Sequence, residues 1–323
     1  MLVNLLVIIK RYYLLIVLLL LASSGLLRSQ ESSMHFQHYT ADQGLSQNMV
    51  DCILEDSKGF LWIGTWNGLN RYDGYTFTRY RLNSEDSILL SNNFIYALDE
   101  DTRGNIWIGT NKGLYLYLYE QDRFVNYKNL LNCKGRILSG MINTLFCDHK
   151  GNVWVGTKRG MNYLTLNKGG RIINIARFDN VSSEGFLPGL NITALFADSK
   201  QRLWIGSENG LTCYMPKSKK YTIYRFEGNN PNSLSDNRIH CIFEDRDGTI
   251  WIGTEVGLNR YIEEQDHFIN YTHDSENSNS LVHNTVMDVE QDVKGNLILG
   301  TLGGLSIFDK KGGNFSNYRD HLN

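Results

Sequence analysis

A five-residue segment with tryptophan at its second position recurs along the chain at nearly constant spacing. The copies end in Gly-Thr or Gly-Ser and begin at Leu61, Ile106, Val153, Leu203, Ile250 and Leu297. The last copy carries Ile298 in the tryptophan position, and successive copies lie 45, 47, 50, 47 and 47 residues apart. A regular period of this length indicates an array of repeated structural units.

Each copy lies within the same order of strand and turn signals. An alternating apolar strand precedes it and ends in an acidic turn closed by glycine, as at 56–59, whereas the fourth copy has Gln201 in place of the glycine. A glycine-led strand follows, and then a strand with two aromatic residues three apart, such as Phe77 and Tyr80. The third copy keeps only Phe178 of this aromatic pair. Four strands per unit of about 45 residues predict the blade of an all-β propeller.

A four-stranded blade cannot bury both of its faces alone, so the repeat tryptophans are predicted to pack between neighbouring blades. Each large apolar side chain buried in this way contributes roughly 1.5–3 kcal/mol. The segment His35–Tyr39 resembles a fourth strand but precedes the first complete unit. We therefore expect a propeller domain over residues 34–323, with six complete repeats and an orphan outer strand, as in an incomplete seven-bladed ring. The alternative is a six-bladed ring with a loose leading strand.

The first residues indicate export. Lys10 and Arg11 precede the apolar run Tyr12–Ala22, and the small residues Ala22 and Ser24 suit cleavage before residue 25. The run is shorter than the roughly 20 residues of a membrane span, so residues 1–24 are interpreted as a signal peptide. An uncleaved signal anchor is the alternative, because 2–9 is also apolar. Both interpretations predict a periplasmic propeller.

Charge and cysteine content narrow the function further. Lys plus Arg number 32 against 34 for Asp plus Glu, a balance that gives no reason to expect a nucleic acid or an anionic membrane surface as partner. The five cysteines are scattered, and Cys52 and Cys241 are predicted to occupy the same position in different repeats. We interpret the cysteines as small buried side chains.

Ligand contacts are expected in loops, because a rigid scaffold commonly presents its binding residues there. The candidate ligand-binding residues are Trp66, Asn67, Arg71, Lys158, Arg159, Arg238, His240 and His283. Trp66 lies outside the repeat position, so it could stack on a sugar ring, although a loop-packing role is the alternative. The recurrent asparagines Asn48, Asn93, Asn237 and Asn284 are interpreted as structural, since a small ligand cannot contact all blades alike.

Catalytic signals are weak. The sequence has no HxH or HExxH pair and no Gly-x-Ser-x-Gly segment. The segment 245–248 resembles the start of a calcium-binding loop but lacks the further ligands of such a loop. We therefore predict no catalytic residue, metal or cofactor. A lyase resembling the streptogramin-inactivating propeller enzymes is the enzymatic alternative.

The repeated unit resembles the two-component regulator propeller repeat. The resemblance lies in the pentapeptides, in the preceding segment 45–48 with sequence Leu-Ser-Gln-Asn (the lead-in), and in the segment 68–72 after the first pentapeptide. The resemblance extends from Met34 to Tyr318, although Gly140 and Leu190 depart from the lead-in. It implies the periplasmic sensor of a hybrid two-component system of Bacteroides-like bacteria. In that family paired seven-bladed propellers precede an immunoglobulin-like domain, a membrane helix, a histidine kinase and a response regulator, and the systems respond to glycan breakdown products.

The chain has no second membrane helix, kinase histidine motif or receiver domain after the repeats. The resemblance therefore predicts an N-terminal part of such a sensor, not itself an enzyme, with kinase activity in a full-length parent. Its expected ligand is an oligosaccharide, and membrane attachment would come from the N-terminal segment or from a missing C-terminal region. A protein-interaction platform or homodimer is the alternative role.

Overall fold

The structure is a computed structural model that describes residues 36–80, 94–179 and 185–319. The chain divides into two compact units, Met1–Tyr39 and Thr40–Asn323. The predicted signal segment, 1–24, lies outside the described residues. The prediction of an orphan outer strand at 35–39 is wrong for its described part, because residues 36–39 form no strand and each described sheet takes its outer strand from its own repeat. Within the described ranges, no helix has the length and apolar character needed to cross a bilayer.

The second unit is a propeller of six blades, each a four-stranded antiparallel sheet whose strands follow one another in chain order. The strands of blades 1 to 3 are β1 (Val50–Glu55), β2 (Leu61–Thr65), β3 (Gly68–Tyr72), β4 (Phe77–Tyr80), β5 (Ile95–Glu100), β6 (Ile106–Thr110), β7 (Gly113–Leu118), β8 (Arg123–Asn126), β9 (Ile142–Cys147), β10 (Val153–Thr157), β11 (Gly160–Leu166) and β12 (Ile172–Phe178). Those of blades 4 to 6 are β13 (Ile192–Ala197), β14 (Leu203–Ser207), β15 (Gly210–Met215), β16 (Lys220–Tyr224), β17 (Ile239–Glu244), β18 (Ile250–Thr254), β19 (Gly257–Ile262), β20 (His267–Tyr271), β21 (Val286–Gln291), β22 (Leu297–Thr301), β23 (Gly304–Asp309) and β24 (Asn314–Tyr318). The short 3₁₀ helices are Ala41–Gln43, Tyr119–Gln121, Tyr127–Leu130 and Glu263–Gln265.

The first strand of each blade is the inner strand, and each inner strand packs against the next from β1 to β21. Among the described residues, no neighbouring blade covers one face of blade 1 and one face of blade 6. Ile53 on blade 1 is 63% exposed, whereas Val289 at the same repeat position is buried. Ile239 of the next blade covers Gly206 of blade 4, but only Asp288 of its own blade lies near Gly300 in blade 6. The all-β propeller of four-stranded blades is confirmed, and the seventh blade stays a prediction.

The repeat tryptophans lie between blades, as predicted. Trp62, Trp107, Trp204 and Trp251 are fully or almost fully buried. The Trp62 ring lies 5.0 Å from the ring of Tyr117 in blade 2, and the Trp204 ring lies 5.1 Å from that of Tyr261 in blade 5. Each indole therefore fills the interface between its own blade and the following one.

The acidic turn between the first two strands stabilises the tryptophan. The indole N–H of Trp204 donates to Asp198 at 2.9 Å, and that of Trp251 donates to Asp245 at the same distance. The Asp245 carboxylate also accepts from the backbone N–H of Asp247 and of Thr249. A carboxylate used in this way is a structural part of a hairpin turn, which explains why aspartate recurs there.

The turn in blade 4 offers a test of backbone strain. Gln201 adopts φ 63°, whereas Gly248 at the same position in blade 5 adopts φ 79°. A non-glycine residue in the left-handed region destabilises the folded state by roughly 1–2 kcal/mol. Glycine avoids this strain, but its greater conformational freedom in the unfolded chain cancels part of the gain. We therefore expect Gln201→Gly to raise the free energy of unfolding by about 0.5–1 kcal/mol, measured by urea denaturation. The matched Gly248→Gln variant should lower it, and a destabilised Gln201→Gly variant would contradict this explanation.

The cysteines are all free thiols. Cys52 pairs with Gly64 and Cys241 with Gly253, so the two occupy the same position in blades 1 and 5, as predicted. Burial raises the pKa of both thiols well above its ordinary value, and it raises that of Cys213 to about 12. Thiols that stay protonated at neutral pH are poor nucleophiles, which agrees with a packing role.

Candidate functional site

Every inner strand contains a β-bulge at the same place. In blade 1, Val50 pairs with Thr65 and Cys52 pairs with Gly64, so Asp51 is left outside the ladder. The bulged residues of the six described blades are Asp51, Tyr96, Asn143, Thr193, His240 and Met287. A bulge re-aims one side chain and is common beside functional sites. The inner strands therefore carry one such residue per blade around the propeller axis.

The bulged position varies in chemistry while its surroundings repeat. The residue just before it is always valine or isoleucine, and that residue is fully buried in blades 2 to 6. The bulged residue itself is in turn acidic, aromatic, amide, hydroxyl, imidazole and thioether. Six different side chains on the same backbone geometry cannot all be required by the fold. This position is therefore free to serve recognition, and it is the best candidate site in the propeller.

In blade 5 the bulged histidine belongs to a charged cluster. His240 Nε2 lies 3.0 Å from Glu255 Oε2, and Arg238 Nη1 lies 3.5 Å from the same oxygen. The backbone N–H of Glu255 donates to the carbonyl of Arg238 at 3.2 Å, which ties the β18–β19 turn to the inner strand. Arg238 and His240 were predicted as site residues, whereas the pairing of Glu255 with them follows only from the folded turn.

In blade 1 the bulged Asp51 is hydrogen-bonded by Trp66, and the bulged Tyr96 of blade 2 lies near Asp51. Burial raises the pKa of Asp51, although a hydrogen bond from the Trp66 side chain opposes the shift. Burial and the nearby charge of Asp51 raise the pKa of Tyr96. The Trp66 ring is 42% exposed and lies 5.3 Å from the ring of Phe94. This group combines an accessible aromatic ring with a carboxylate and a phenol, which suits stacking and hydrogen bonding to a polar ring.

Asn67 and Arg71 do not join Trp66 in the same way. The backbone N–H of Asn67 donates to Thr65 Oγ1 at 3.1 Å within the β2–β3 turn. The Arg71 guanidinium lies 4.7 Å from the ring centre of Phe60 and 5.7 Å from that of Trp62. Arg71 thus covers aromatic rings on the face of blade 1, a cation–π arrangement that stabilises the blade interface.

The remaining candidates lie on other blades. Lys158 and Arg159 are exposed in the β10–β11 turn of blade 3. His283 accepts a hydrogen bond at Nδ1 from the backbone N–H of Thr285 at 3.0 Å and packs closely on Gly303. Among the described residues, no hydrogen bond, ion pair or ring contact joins the Trp66 group to the His240 cluster. The candidates therefore lie on several blades without forming one joined group, and Arg71 lies towards the β1–β2 turn, at the end of blade 1 opposite Trp66.

The recurrent asparagines of the lead-in act on the backbone. Asn48 Oδ1 accepts from the N–H of Ala41 at 2.7 Å, and Asn284 Oδ1 accepts from the N–H of His273 at 2.7 Å. Asn237 accepts in the same way from Phe226, whereas Asn93 lies outside the described residues. These amides hold the loop that enters each blade, which agrees with the structural interpretation.

No metal site stands out in the described ranges, where no group of three or more His, Cys, Asp or Glu side chains is placed to hold an ion. The bulged residues instead offer hydrogen-bond donors, acceptors and aromatic surface. Such an arrangement can bind a polar organic ligand without covalent chemistry.

Comparison with a curated protein and with solved structures places this geometry in context. Histidine kinase P4 of Formosa agariphila is 48% identical over 65 residues, which is 20% of this chain and 5% of that protein. The extracellular domain of a hybrid two-component system of B. thetaiotaomicron has a TM-score of 0.72 at 26% identity, covering 89% of this chain and 37% of that one. This chain thus spans well under half of each.

A virginiamycin B lyase of Staphylococcus aureus shares the fold with a TM-score of 0.61 at 12% identity, covering 87% of this chain and 86% of that one. The family model described as two component regulator propeller matches residues 44–67, 89–112, 136–159, 187–209 and 233–256. Five of the six blades thus carry two-component regulator propeller repeats.

Proposed function

We propose that this propeller is the periplasmic sensing domain of a hybrid two-component system and that it binds an oligosaccharide at the bulged inner-strand residues. The observation that supports this proposal most directly is the bulge in every inner strand, where side-chain chemistry changes from blade to blade. Binding would be passed to a histidine kinase outside this sequence. The similarity to an extracellular domain of a hybrid system supports both the location and the sensor role.

The chemistry of the candidate residues suits a sugar. Trp66 offers an accessible ring face, against which the C–H groups of a pyranose can pack. Asp51 and Glu255 can accept hydrogen bonds from hydroxyl groups, and His240 can donate or accept according to its tautomer. The net charge of -2 does not favour a strongly anionic polymer over a neutral one.

The proposed role is binding without turnover. The lyase resembles this chain at 12% identity, a level that supports the shared fold alone. The sensor-type extracellular domain is similar both in fold and, at 26% identity, in sequence. Incubation of the protein with a bound oligosaccharide should therefore return the sugar unchanged.

The test is a binding measurement on matched variants. A panel of oligosaccharides is screened by thermal shift, and the best ligand is measured by titration calorimetry. Trp66→Ala should weaken binding at least tenfold, because about 1.4 kcal/mol of stacking is lost. Tyr75→Ala removes another exposed aromatic ring, in the β3–β4 turn at the opposite end of the blade, and should leave the affinity unchanged. No stabilisation by any oligosaccharide would contradict the proposal.

A second candidate role is the docking of another protein or of a second copy. The uncovered face of blade 1, where Ile53 is 63% exposed, favours it. An exposed apolar sheet face tends to pair with another surface. Dimer formation in sedimentation experiments, together with silence towards all oligosaccharides, would favour docking over sugar sensing.

A further inference from the structure

The tryptophan of blade 3 departs from the pattern of its counterparts. In blades 1, 2, 4 and 5 the indole N–H donates to the aspartate of its own turn, as from Trp62 to Asp56 at 2.7 Å. Among the residues that the structure describes, no atom accepts from the indole nitrogen of Trp154, although the residue is only 9% exposed. The Asp148 carboxylate of that turn accepts instead from the Tyr163 hydroxyl at 2.9 Å. This nitrogen is not among the buried polar atoms that lack a partner in the described residues, so it reaches solvent at this interface and is open to an acceptor from a ligand.

The interface between blades 3 and 4 also lacks the side chain that closes two other interfaces. The residue directly after the third strand of a blade reaches back to the aspartate of the preceding blade. The Tyr119 hydroxyl donates to Asp56 in this way, and Lys310 Nζ donates to Asp245 at 2.6 Å. Blade 4 has Pro216 at this position, and its ring carries no donor. The turn end of this interface therefore stays open.

A cavity of about 700 Å³ occupies this opening. Its apolar wall includes Phe146, Trp154, Leu203 and Pro216, and its polar groups include Asp148 and Tyr163. Burial and the adjacent Asp148 raise the pKa of Tyr163 to about 12, so the phenol stays protonated and keeps donating to the carboxylate. The cavity volume falls within the range of small-molecule sites, roughly 300–1,000 Å³.

We propose that this cavity is a second binding site and that it takes one neutral sugar ring. The indole N–H of Trp154 would donate to a ring hydroxyl. Another hydroxyl would donate to Asp148 Oδ2, in place of the long 3.5 Å hydrogen bond from the Asn152 side chain. The apolar wall would contact the C–H face of the ring. Carboxylates and the amino groups of Lys150 and Lys217 both line the cavity, and this mixed charge disfavours a strongly anionic or cationic ligand. The choice of a sugar rests on the proposed function, whereas the location is separate from the bulged residues.

Two variants test the cavity site directly. Pro216→Tyr places in blade 4 the residue that closes the blade 1–2 interface, so it should fill the cavity while the fold is kept. Trp154→Phe retains an aromatic ring but removes the N–H. Methyl glucoside, methyl mannoside and methyl galactoside serve as probes, and their affinities are measured by tryptophan fluorescence and titration calorimetry. Both variants should bind the best probe at least tenfold more weakly than the unmodified protein.

The matched control is Trp107→Phe, because that indole already has its own acceptor in Asp101. It should leave probe affinity unchanged, and urea denaturation of all variants reports whether each one folds cooperatively. Weakening by Pro216→Tyr and Trp154→Phe, with no effect of Trp66→Ala on the methyl glycosides, supports the cavity site. Unchanged affinity in folded Pro216→Tyr, or no binding of any methyl glycoside, overturns it. Oligosaccharide binding that depends on Trp66 would then still stand as the proposed function.

Discussion

Replacing Trp204 by alanine is expected to lower the free energy of unfolding by about 3–5 kcal/mol. The side chain is fully buried between blades 4 and 5, with its ring 5.1 Å from that of Tyr261. The substitution removes an entire indole from a closely packed interface and leaves a cavity that the rigid strands cannot fill. It also removes the N–H that Asp198 accepts at 2.9 Å. Urea denaturation followed by circular dichroism measures the loss.

The matched control is Trp66→Ala, the same change at a residue that is 42% exposed. Its expected loss is about 1–2 kcal/mol, because part of the ring already lies in water and no closed cavity is left behind. Similar losses in the two variants would contradict the conclusion that the repeat tryptophans hold the blades together.

Removing the carboxylate in Asp198→Ala is expected to cost about 3 kcal/mol, the lower end of the range for breaking a buried ion pair. The buried oxygen Oδ2 lies 2.5 Å from Arg202 Nε and accepts from the Trp204 indole. Oδ1 accepts from the backbone N–H of Arg202, so loss of the carboxylate leaves three donors without their acceptor. The expected value lies at the lower end because Glu263 still pairs with the guanidinium, at 3.0 Å from Nη1. Thermal and urea unfolding both measure this change.

Asp247→Ala provides the control for charge alone. Its carboxylate lies 2.7 Å from Lys310 Nζ, but its side chain is 76% exposed. Exposed ion pairs contribute roughly 0–1 kcal/mol, so the expected change is small. If Asp247→Ala destabilised the protein as much as Asp198→Ala, surface charge and not the buried hydrogen bonds would account for the loss.

Much of the fold could be predicted because the same strand and turn signals recur six times in the sequence. The second strand of each blade begins where the pentapeptide begins, at Leu61, Ile106 and their counterparts. The turn conformation is kept even where the residue type differs, since Gln201 adopts the positive φ expected of the glycine it replaces. Pattern and period reinforce one another in a repeat protein, so a weak signal in one blade is supported by the others.

The candidate site was predicted only in part, because its geometry depends on contacts between strands and between blades. Arg238 and His240 were identified from their place near the start of an inner strand, but their shared partner Glu255 comes from the next turn. The bulge at Asp51 adds one residue at the very start of a strand, where the alternation of apolar and polar residues is too short to reveal it. The cavity beside Pro216 is visible only once two blades are placed side by side.

The bulges have an evolutionary consequence. A bulged residue lies outside the ladder, so its exchange leaves the hydrogen bonds within its own sheet in place. This holds even where the side chain also contacts the next blade, as Asn143 does by donating to the Ile192 carbonyl at 2.9 Å. Asp51, Asn143 and His240 already show how different the tolerated groups are on an unchanged frame. A lineage of such propellers can therefore acquire a new preference through a handful of single substitutions, without a detour through unstable intermediates.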